Sequence, residues 1–480
     1  MCSGIAKLNV LSDDEVDEIY QASLKILEET GVAFQQEDAL SLFHKNGAQV
    51  DLEKSIVKFP SSLVEDLIKK VPKEYTLYHR DSEKRIDIAE GTVHFQIGDY
   101  AGYILDYRTG ERRRATLKDL QDVIRVDDAL DCFDLFEPPV MPLDVSSSMT
   151  QIKVTETMFK NTTKPSLMGL IIEPKEGRYI LKMAEAVAGG EEALRKKPLM
   201  GILCQPTSPL IYAKEVIEKM NDCMRKGVPL SIIAAPTCGM TAPVTIAGWL
   251  TVGIAEVLAA TVYVQLIAEK TPVVTGLATN VMNLRDGNLN IASPEAALCS
   301  AASIQIVHHL GLLGVAQGGT DSKIPSIQTG YEKALSILYT LLAGAEVYGL
   351  ATLDDWGTTA MEQHVIDAEI VEAIKRILQG IDVTPETLAL DVIKEVGVGG
   401  SYLSHKHTFK HFRKEHWIPE LSFRESWETL KRKNRKTIVD NAESKVAKIL
   451  QDHRPEPLDG DVQKELEAIT KEAEKELGAS

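Results

Sequence analysis

The sequence predicts an α/β protein, a (β/α)8 TIM barrel with an N-terminal helical cap and a C-terminal helical extension. Three observations predict it. Eight short apolar runs recur along the chain, near 92–97, 133–140, 166–172, 199–204, 229–235, 272–277, 312–317 and 345–351. Each is followed by a stretch with helical periodicity, about 116–130, 148–160, 176–189, 213–226, 244–269, 293–309, 326–343 and 360–377. The runs are nearly continuous in apolar residues, as in parallel strands covered on both faces. Eight such units close naturally into a barrel, with a doubly wound open sheet as the alternative.

The flanking segments follow from local signals. Residues 1–90 read as helices with short connections, an N-terminal cap. Ser12-Asp13-Asp14-Glu15 is a capping signal for a first helix over 12–29, stopped by Gly31. The barrel is assigned to 91–380. Within it, 103–114 (YILDYRTGERRR) carries a Thr-Gly turn and reads as a hairpin after the first strand. Residues 381–480 read as a helical extension, ending in an acidic solvated helix or tail.

Composition bounds the function. The chain has 480 residues and a net charge of −17, which disfavours nonspecific nucleic-acid binding. A basic cluster, Lys431, Arg432, Lys433, Arg435 and Lys436, reads as a solvated helix face. None of the six cysteines forms a C-x-x-C pair, so reduced thiols in a cytoplasmic protein are expected. The segment 246–268 has the length and apolarity of a membrane span but contains Glu256 and Gln265. Its place in the strand–helix rhythm makes it a buried or subunit-interface helix. Its apolarity leads to the expectation of a homo-oligomer that does not enter a membrane.

In a closed barrel the chemistry lies at the C-terminal ends of the strands. Those loops are rich in amides, hydroxyls and small residues and poor in histidine. No G-x-S-x-G elbow and no H-E-x-x-H site appears. Gln96, Gln205, Asn280 and Gln317 are candidates for orienting a polar substrate group. Phe95, Tyr100, Tyr348 and Trp356, with Tyr331, are the aromatic candidates near strand ends. Gly318-Gly319-Thr320 could contact phosphate or substrate, or simply permit a tight turn. Lys323 could be a Schiff-base lysine of a lyase or aldolase on a phosphorylated or keto substrate, though an ion-paired lysine fits its position better. His405 and His407 form H-x-H without an evident third metal ligand, and His308-His309 read as packing or interface residues.

Several segments together resemble the trimethylamine methyltransferase family over most of the chain. They are Asn161-Thr162-Thr163-Lys164-Pro165, the run 318–323 with Gln328 and 331–333, and Gly400-Ser401-Tyr402-Leu403 with His407-Thr408, Arg413, Trp417 and Pro419. The founding trimethylamine enzymes carry pyrrolysine in the barrel, whereas this chain holds only the twenty ordinary residues. The resemblance therefore implies the nonpyrrolysine branch, whose known members demethylate quaternary amines such as glycine betaine, proline betaine and carnitine. γ-Butyrobetaine has the same chemistry. It further implies anaerobic one-carbon metabolism, no tightly bound cofactor, and a corrinoid (cobalamin) supplied by a cognate corrinoid protein. The aromatic candidates would then form a cage for the cation, worth about 0.5–2 kcal/mol per ring. Betaine binding without turnover is the remaining alternative.

Overall fold

In the computed structural model, which describes residues 7–80, 83–98, 100–351, 353–432 and 436–478, eight parallel strands close into a barrel. The strands are β1 (His94–Ile97), β2 (Leu135–Phe136), β3 (Ser166–Gly169), β4 (Met200–Cys204), β5 (Leu230–Ala234), β6 (Val273–Leu277), β7 (Leu313–Gly318) and β8 (Val347–Leu350). Each lies beside its sequence neighbours, and β8 pairs with β1 in register, Val347 opposite His94 and Leu350 opposite Ile97. The eight intervening helices are α1 (Leu117–Asp128), α2 (Ser147–Asn161), α3 (Pro174–Ala188), α4 (Lys214–Lys226), α5 (Ile246–Ile267), α6 (Pro294–His309), α7 (Ile327–Ala343) and α8 (Met361–Leu378). All eight strand–helix units read from the sequence are present. The hairpin at 103–114 is also there, as paired strands Tyr103–Leu105 and Arg112–Arg114.

The N-terminal region differs from the helical cap expected. The capping box at Ser12 does start a helix, Asp13–Lys25. Beyond it come strands as well as helices. Val32–Phe34 joins a four-stranded sheet with Gln49–Asp51, Ile56–Lys58 and Ile211–Tyr212 from the barrel. These strands are only two or three residues long, too short to show a period of two. A hairpin, Glu74–Tyr78 with Arg85–Ala89, lies across the N-terminal ends of the barrel strands. Its Tyr78 N–H donates to Pro198 O just before β4, and Arg80 N–H to Thr163 O just before β3. Tyr75, Leu77, Ile86 and Ile88 pack into the barrel against Leu135, Leu167, Leu203, Ile233, Val274 and Leu313. The hairpin is thus an apolar floor.

α5 is the membrane-like segment, and it is internal, with 83% of its apolar window buried. It lies between the barrel and the N-terminal layer, where the rings of Phe43, Tyr212 and Tyr263 each lie within 6 Å of the Phe34 ring. Its apolarity is accounted for within one chain, which removes the reason for which it suggested a subunit interface. Glu256 sits on this helix with no exposure and accepts from Ser208 Oγ (2.8 Å) and Leu210 N–H (2.7 Å).

The acidic end is not a solvated tail. The helix Gly460–Leu477 docks on α2 and α3 through Leu466, Ile469, Ala473 and Leu477. Its carboxylates meet lysines of those helices, Glu474 with Lys153 at 2.9 Å and Glu472 with Lys182 at 3.0 Å. The charge excess that suggested solvation is spent on the far helices' basic residues. Of the basic cluster, Lys431 and Arg432 end the helix Trp427–Arg432, Lys436 follows, and Lys433 and Arg435 lie outside the described residues. Cys132, Cys204, Cys223, Cys238 and Cys299 are all free and buried. Cys2 lies outside the described residues.

Candidate functional site at the barrel mouth

The mouth is built from the inward-facing residue of each strand end. Strand alternation makes Gln317, Gly349 and Gln96 neighbours on β7, β8 and β1 in one register. Gly349 leaves the space that Gln317 occupies: a Cβ there would sit 2.9 Å from Gln317 Cγ. Gln317 Nε2 donates to both carboxylate oxygens of Glu137, at 3.1 and 3.3 Å. Glu137 is 1% exposed and directly follows β2. Gly98, at φ +138°, passes so close to Glu137 that a Cβ would overlap its backbone. Tyr100 then crosses the rim, donating from its hydroxyl to Met168 O, with the Glu137 carboxylate beside it. Burial and that negative neighbour push the Tyr100 phenol well above its ordinary range.

Gln96 is fully buried in this network, yet neither its amide nitrogen nor its oxygen has a hydrogen-bond partner in the protein. The Asn280 carbonyl oxygen is likewise buried and unpartnered. Buried amides are almost always satisfied, by protein or by ordered water, and these two have no partner within the protein. Gln205 follows β4 on the inward phase of Leu203, which packs in the barrel core, and is half-buried. All four amides read from the sequence therefore lie at strand ends around the mouth.

The aromatic candidates divide. Phe95 and Tyr348 are neighbours on adjacent strands but point outward into the helix layer. The Tyr348 hydroxyl donates to Ser336 Oγ on α7 at 3.1 Å, and the Lys375 ammonium lies 5.3 Å from the Phe95 ring. Neither can line the mouth, because each is one residue out of phase with Gln96 or Gly349. Tyr331 sits on the outer side of α7, 54% exposed. Tyr100 and half-buried Trp356 remain at the rim. A four- or five-ring cage is thereby reduced to two rings, of which Tyr100 lies beside the Glu137 carboxylate.

A second strand spanning 133–140, as the apolar run suggests, would enclose Glu137 within it. The strand ends at Phe136. The signal was present: Pro138-Pro139 cannot continue a ladder, so the acid before them belongs to the loop.

The loop after β8 is held in an unusual backbone. Asp354, Asp355 and Trp356 have φ of +57°, +53° and +61°, three successive non-glycine residues in the left-handed region. Ion pairs fix the turn: Asp354 binds Lys323 at 2.6 Å and Arg112 at 3.1 Å. Those cations hold the Asp354 carboxyl below its usual range despite partial burial. Asp355 is raised to about 6, by burial first and then by Asp321. Lys323 is thus an ion-paired, largely exposed lysine and no buried amine. In the loop after β7, Gly318 is required by close approach, since a Cβ would strike the Tyr348 hydroxyl, and Gly319 packs on Ala351 and Ile291. Neither glycine has a positive φ, so the tight-turn reading gives way to packing. Thr320 and the Asp321 N–H both bind the Glu332 carboxylate, which makes this loop acidic and unfit for phosphate.

The histidines lie elsewhere. His405 Nδ1 caps its helix by accepting from His407 N–H at 3.0 Å, and His308 pairs with Glu346 at 2.9 Å. Among the described residues, no group of three or more His, Cys, Asp or Glu is arranged to hold a metal ion.

Comparison with known proteins agrees with this architecture. The trimethylamine methyltransferase (MTTB) family model matches residues 1–478. The chain belongs to the trimethylamine methyltransferase family. It is 34% identical over 473 residues to the trimethylamine methyltransferase MttB of Desulfitobacterium hafniense, covering 98% of this chain and 95% of that one. It is 29% identical over 478 residues to the glycine betaine methyltransferase of the same species, covering 99% of each. The crystal structure of the Methanosarcina barkeri monomethylamine methyltransferase MtmB superposes with a TM-score of 0.51 at 12% identity, over 96% of this chain and 89% of that one, a likeness of fold. This family member is accordingly a methyltransferase.

Proposed function

We propose that the enzyme removes a methyl group from a small quaternary amine of the betaine type and passes it to the Co(I) corrinoid of a partner protein. The observation that carries this reading is the buried, unpartnered Gln96 amide beside the Gln317–Glu137 pair at the barrel mouth. A carboxylate and two aromatic edges suit a methylated cation. Amide donors suit the carboxylate that betaines carry at the other end. Likeness to both trimethylamine and glycine betaine methyltransferases, with no pyrrolysine in the chain, favours the quaternary substrate.

The chemistry is balanced without proton delivery. The corrinoid nucleophile forms the new bond to the methyl carbon as the C–N bond breaks, and the C–N electron pair stays on nitrogen. A cationic ammonium thus leaves as a neutral tertiary amine. A neutral amine donor would instead expel an amide anion. The protein's task is to hold N–CH3 in line and exclude water. Glu137 would attract the cation, Tyr100 and Trp356 would flank it, and Gln96, Gln205 and Asn280 would orient its far end.

The test is an anaerobic assay with Co(I) corrinoid, free or on its carrier protein, over glycine betaine, proline betaine, carnitine, γ-butyrobetaine and trimethylamine. Loss of Co(I) absorbance with one or more quaternary donors, and none with trimethylamine, is expected. Transfer from trimethylamine alone would overturn the quaternary assignment. Silence with every donor in the presence of an active carrier would overturn the reaction.

A further inference from the structure

The two rings left at the rim share a backbone peculiarity. Among the described residues, eight non-glycine residues have a positive φ, and the aromatic ones are Tyr100, at +50°, and Trp356, at +61°. A bulky side chain in this region is strained and persists only where its surroundings over-determine it. Tyr100 is fixed by its own hydroxyl on Met168 O. Trp356 is fixed through its neighbours. Residues 353–358 make a tight hairpin, with Leu353 N–H donating to Thr358 O at 3.1 Å and Gly357 N–H to Asp354 O at 2.8 Å. The loops after β7 and β1 grip it from both sides. Asp354 N–H donates to Ser322 O at 2.9 Å, and Thr358 and Thr359 pair with Tyr103 and Ile104.

The Asp354 carboxylate ties the three loops together. Its Oδ1 meets the Lys323 ammonium at 2.6 Å. Its Oδ2 accepts from Arg112 at 3.1 Å and from the Thr358 hydroxyl at 3.0 Å. Arg112 Nε also donates to Thr358 Oγ1 at 2.9 Å, so one planar fork spans both strands of the hairpin. That guanidinium lies on the Tyr103 ring, 3.8 Å from its centre. A lysine offers a point charge and no such fork, which makes Arg112 the directional half of the clamp and Lys323 the undirected half.

We infer that Arg112 is a positioning residue for the donor: acting through Asp354, it keeps Trp356 in its left-handed seat and so sets affinity for the methylated cation without touching it. This rests on the methyl-transfer reading, in which Trp356 flanks the cation. A ring already in place costs the donor nothing to order. A ring that must first be returned to a strained backbone subtracts that cost from binding. The donor carries its full positive charge before transfer and loses it as the C–N pair settles on nitrogen. The ring therefore acts on the bound donor more than on the transition state, and its displacement raises KM without lowering kcat.

The test compares the parent chain with Arg112→Met, with Lys323→Met, and with Arg114→Met as a control that removes an exposed charge from the same hairpin strand. Acrylamide quenching reads the seat directly and needs no donor; emission of Trp356 is isolated by subtracting the matching Trp356→Phe variant. Steady-state transfer to Co(I) corrinoid is measured with whichever of glycine betaine, proline betaine, carnitine and γ-butyrobetaine is active. In Arg112→Met, quenching of Trp356 is expected to rise at least about twofold and the KM for the donor about tenfold, with kcat within about twofold of the parent. Lys323→Met should move both readouts the same way by less, and Arg114→Met should match the parent. Unchanged quenching of Trp356 in Arg112→Met would overturn the inference alone, whatever the enzyme transfers. An exposed Trp356 with an unchanged KM would overturn it too, as would a kcat that falls at constant KM or an Arg114→Met that copies Arg112→Met. A parent chain silent with every donor would take the inference down together with the methyl-transfer reading.

Discussion

The two ends of this barrel are made of opposite materials. At the floor, Tyr75, Leu77, Ile86 and Ile88 from a hairpin outside the barrel fill it with apolar side chains. At the mouth, Gln96, Glu137 and Gln317 leave polar groups buried and partly unsatisfied. An apolar floor stabilises through the area it removes from water. A buried polar mouth costs free energy until a ligand completes it. The contrast teaches that this fold separates stability from function along the barrel axis, as βα barrels do in general.

The sharpest way to break the comparison is Glu137→Gln. It removes the charge that Gln317 binds while keeping the shape. Methyl transfer from the active donor is expected to fall at least about 100-fold, roughly 2.7 kcal/mol of barrier, with thermal stability nearly unchanged. Activity within threefold of the parent would show that the mouth is not the reaction site. The converse change is Ile88→Ala in the floor. It should cost about 2–4 kcal/mol of stability, read by denaturant melts, while turnover per folded molecule stays constant. A loss of turnover without a loss of stability would mean that floor and mouth are coupled.

A third test concerns a polar group satisfied by the protein. Glu256, beside the rim loop after β4, is pushed up to about 7 by burial, partly offset by its bonds from Leu210 and Ser208. Its folded value exceeds the unfolded one, so its contribution is complete below about pH 4.5 and is lost as pH rises through about 7. The melting temperature should therefore fall between pH 5.5 and 8, corresponding to about 1–3 kcal/mol. In Glu256→Gln that fall should shrink; an unchanged pH profile would remove Glu256 as its source. The smallest effect expected is in Gln96→Leu. Deleting an unsatisfied amide should leave stability unchanged or raise it by about 1 kcal/mol, while the KM for the donor rises about tenfold. Destabilisation instead would show that Gln96 already has a partner.

How much of this was legible in the sequence depends on what each feature requires. The strands and helices of the barrel are long repeats of one pattern, and pattern survives without tertiary information. The floor hairpin was not legible because its apolar residues alternate over only five positions on either side of a surface loop, inside a region rich in helical signals. The terminal helix Gly460–Leu477 was misjudged on charge, although Leu466, Ile469, Ala473 and Leu477 already carried a helical stripe. At the site, the amides were found because they end strands. Phe95 and Tyr348 were misplaced because a residue's distance from the strand end does not give its phase, and a shift of one turns a side chain from lumen to helix layer. Arg112 on Asp354, which steadies the left-handed turn at Trp356, joins residues far apart in sequence that no local pattern pairs.

The pairing of β8 with β1 has a consequence for how the molecule comes into being. The floor hairpin is synthesised before any barrel strand, so strands β1 to β7 can gather on it as they leave the ribosome. Through all of that time Gln96 lies on an open edge, and its neighbour Gly349 does not yet exist. Long-range strand pairings of this kind are slow and expose edges to wrong partners. The Gln96 amide therefore lies first on the last seam of the barrel to be closed.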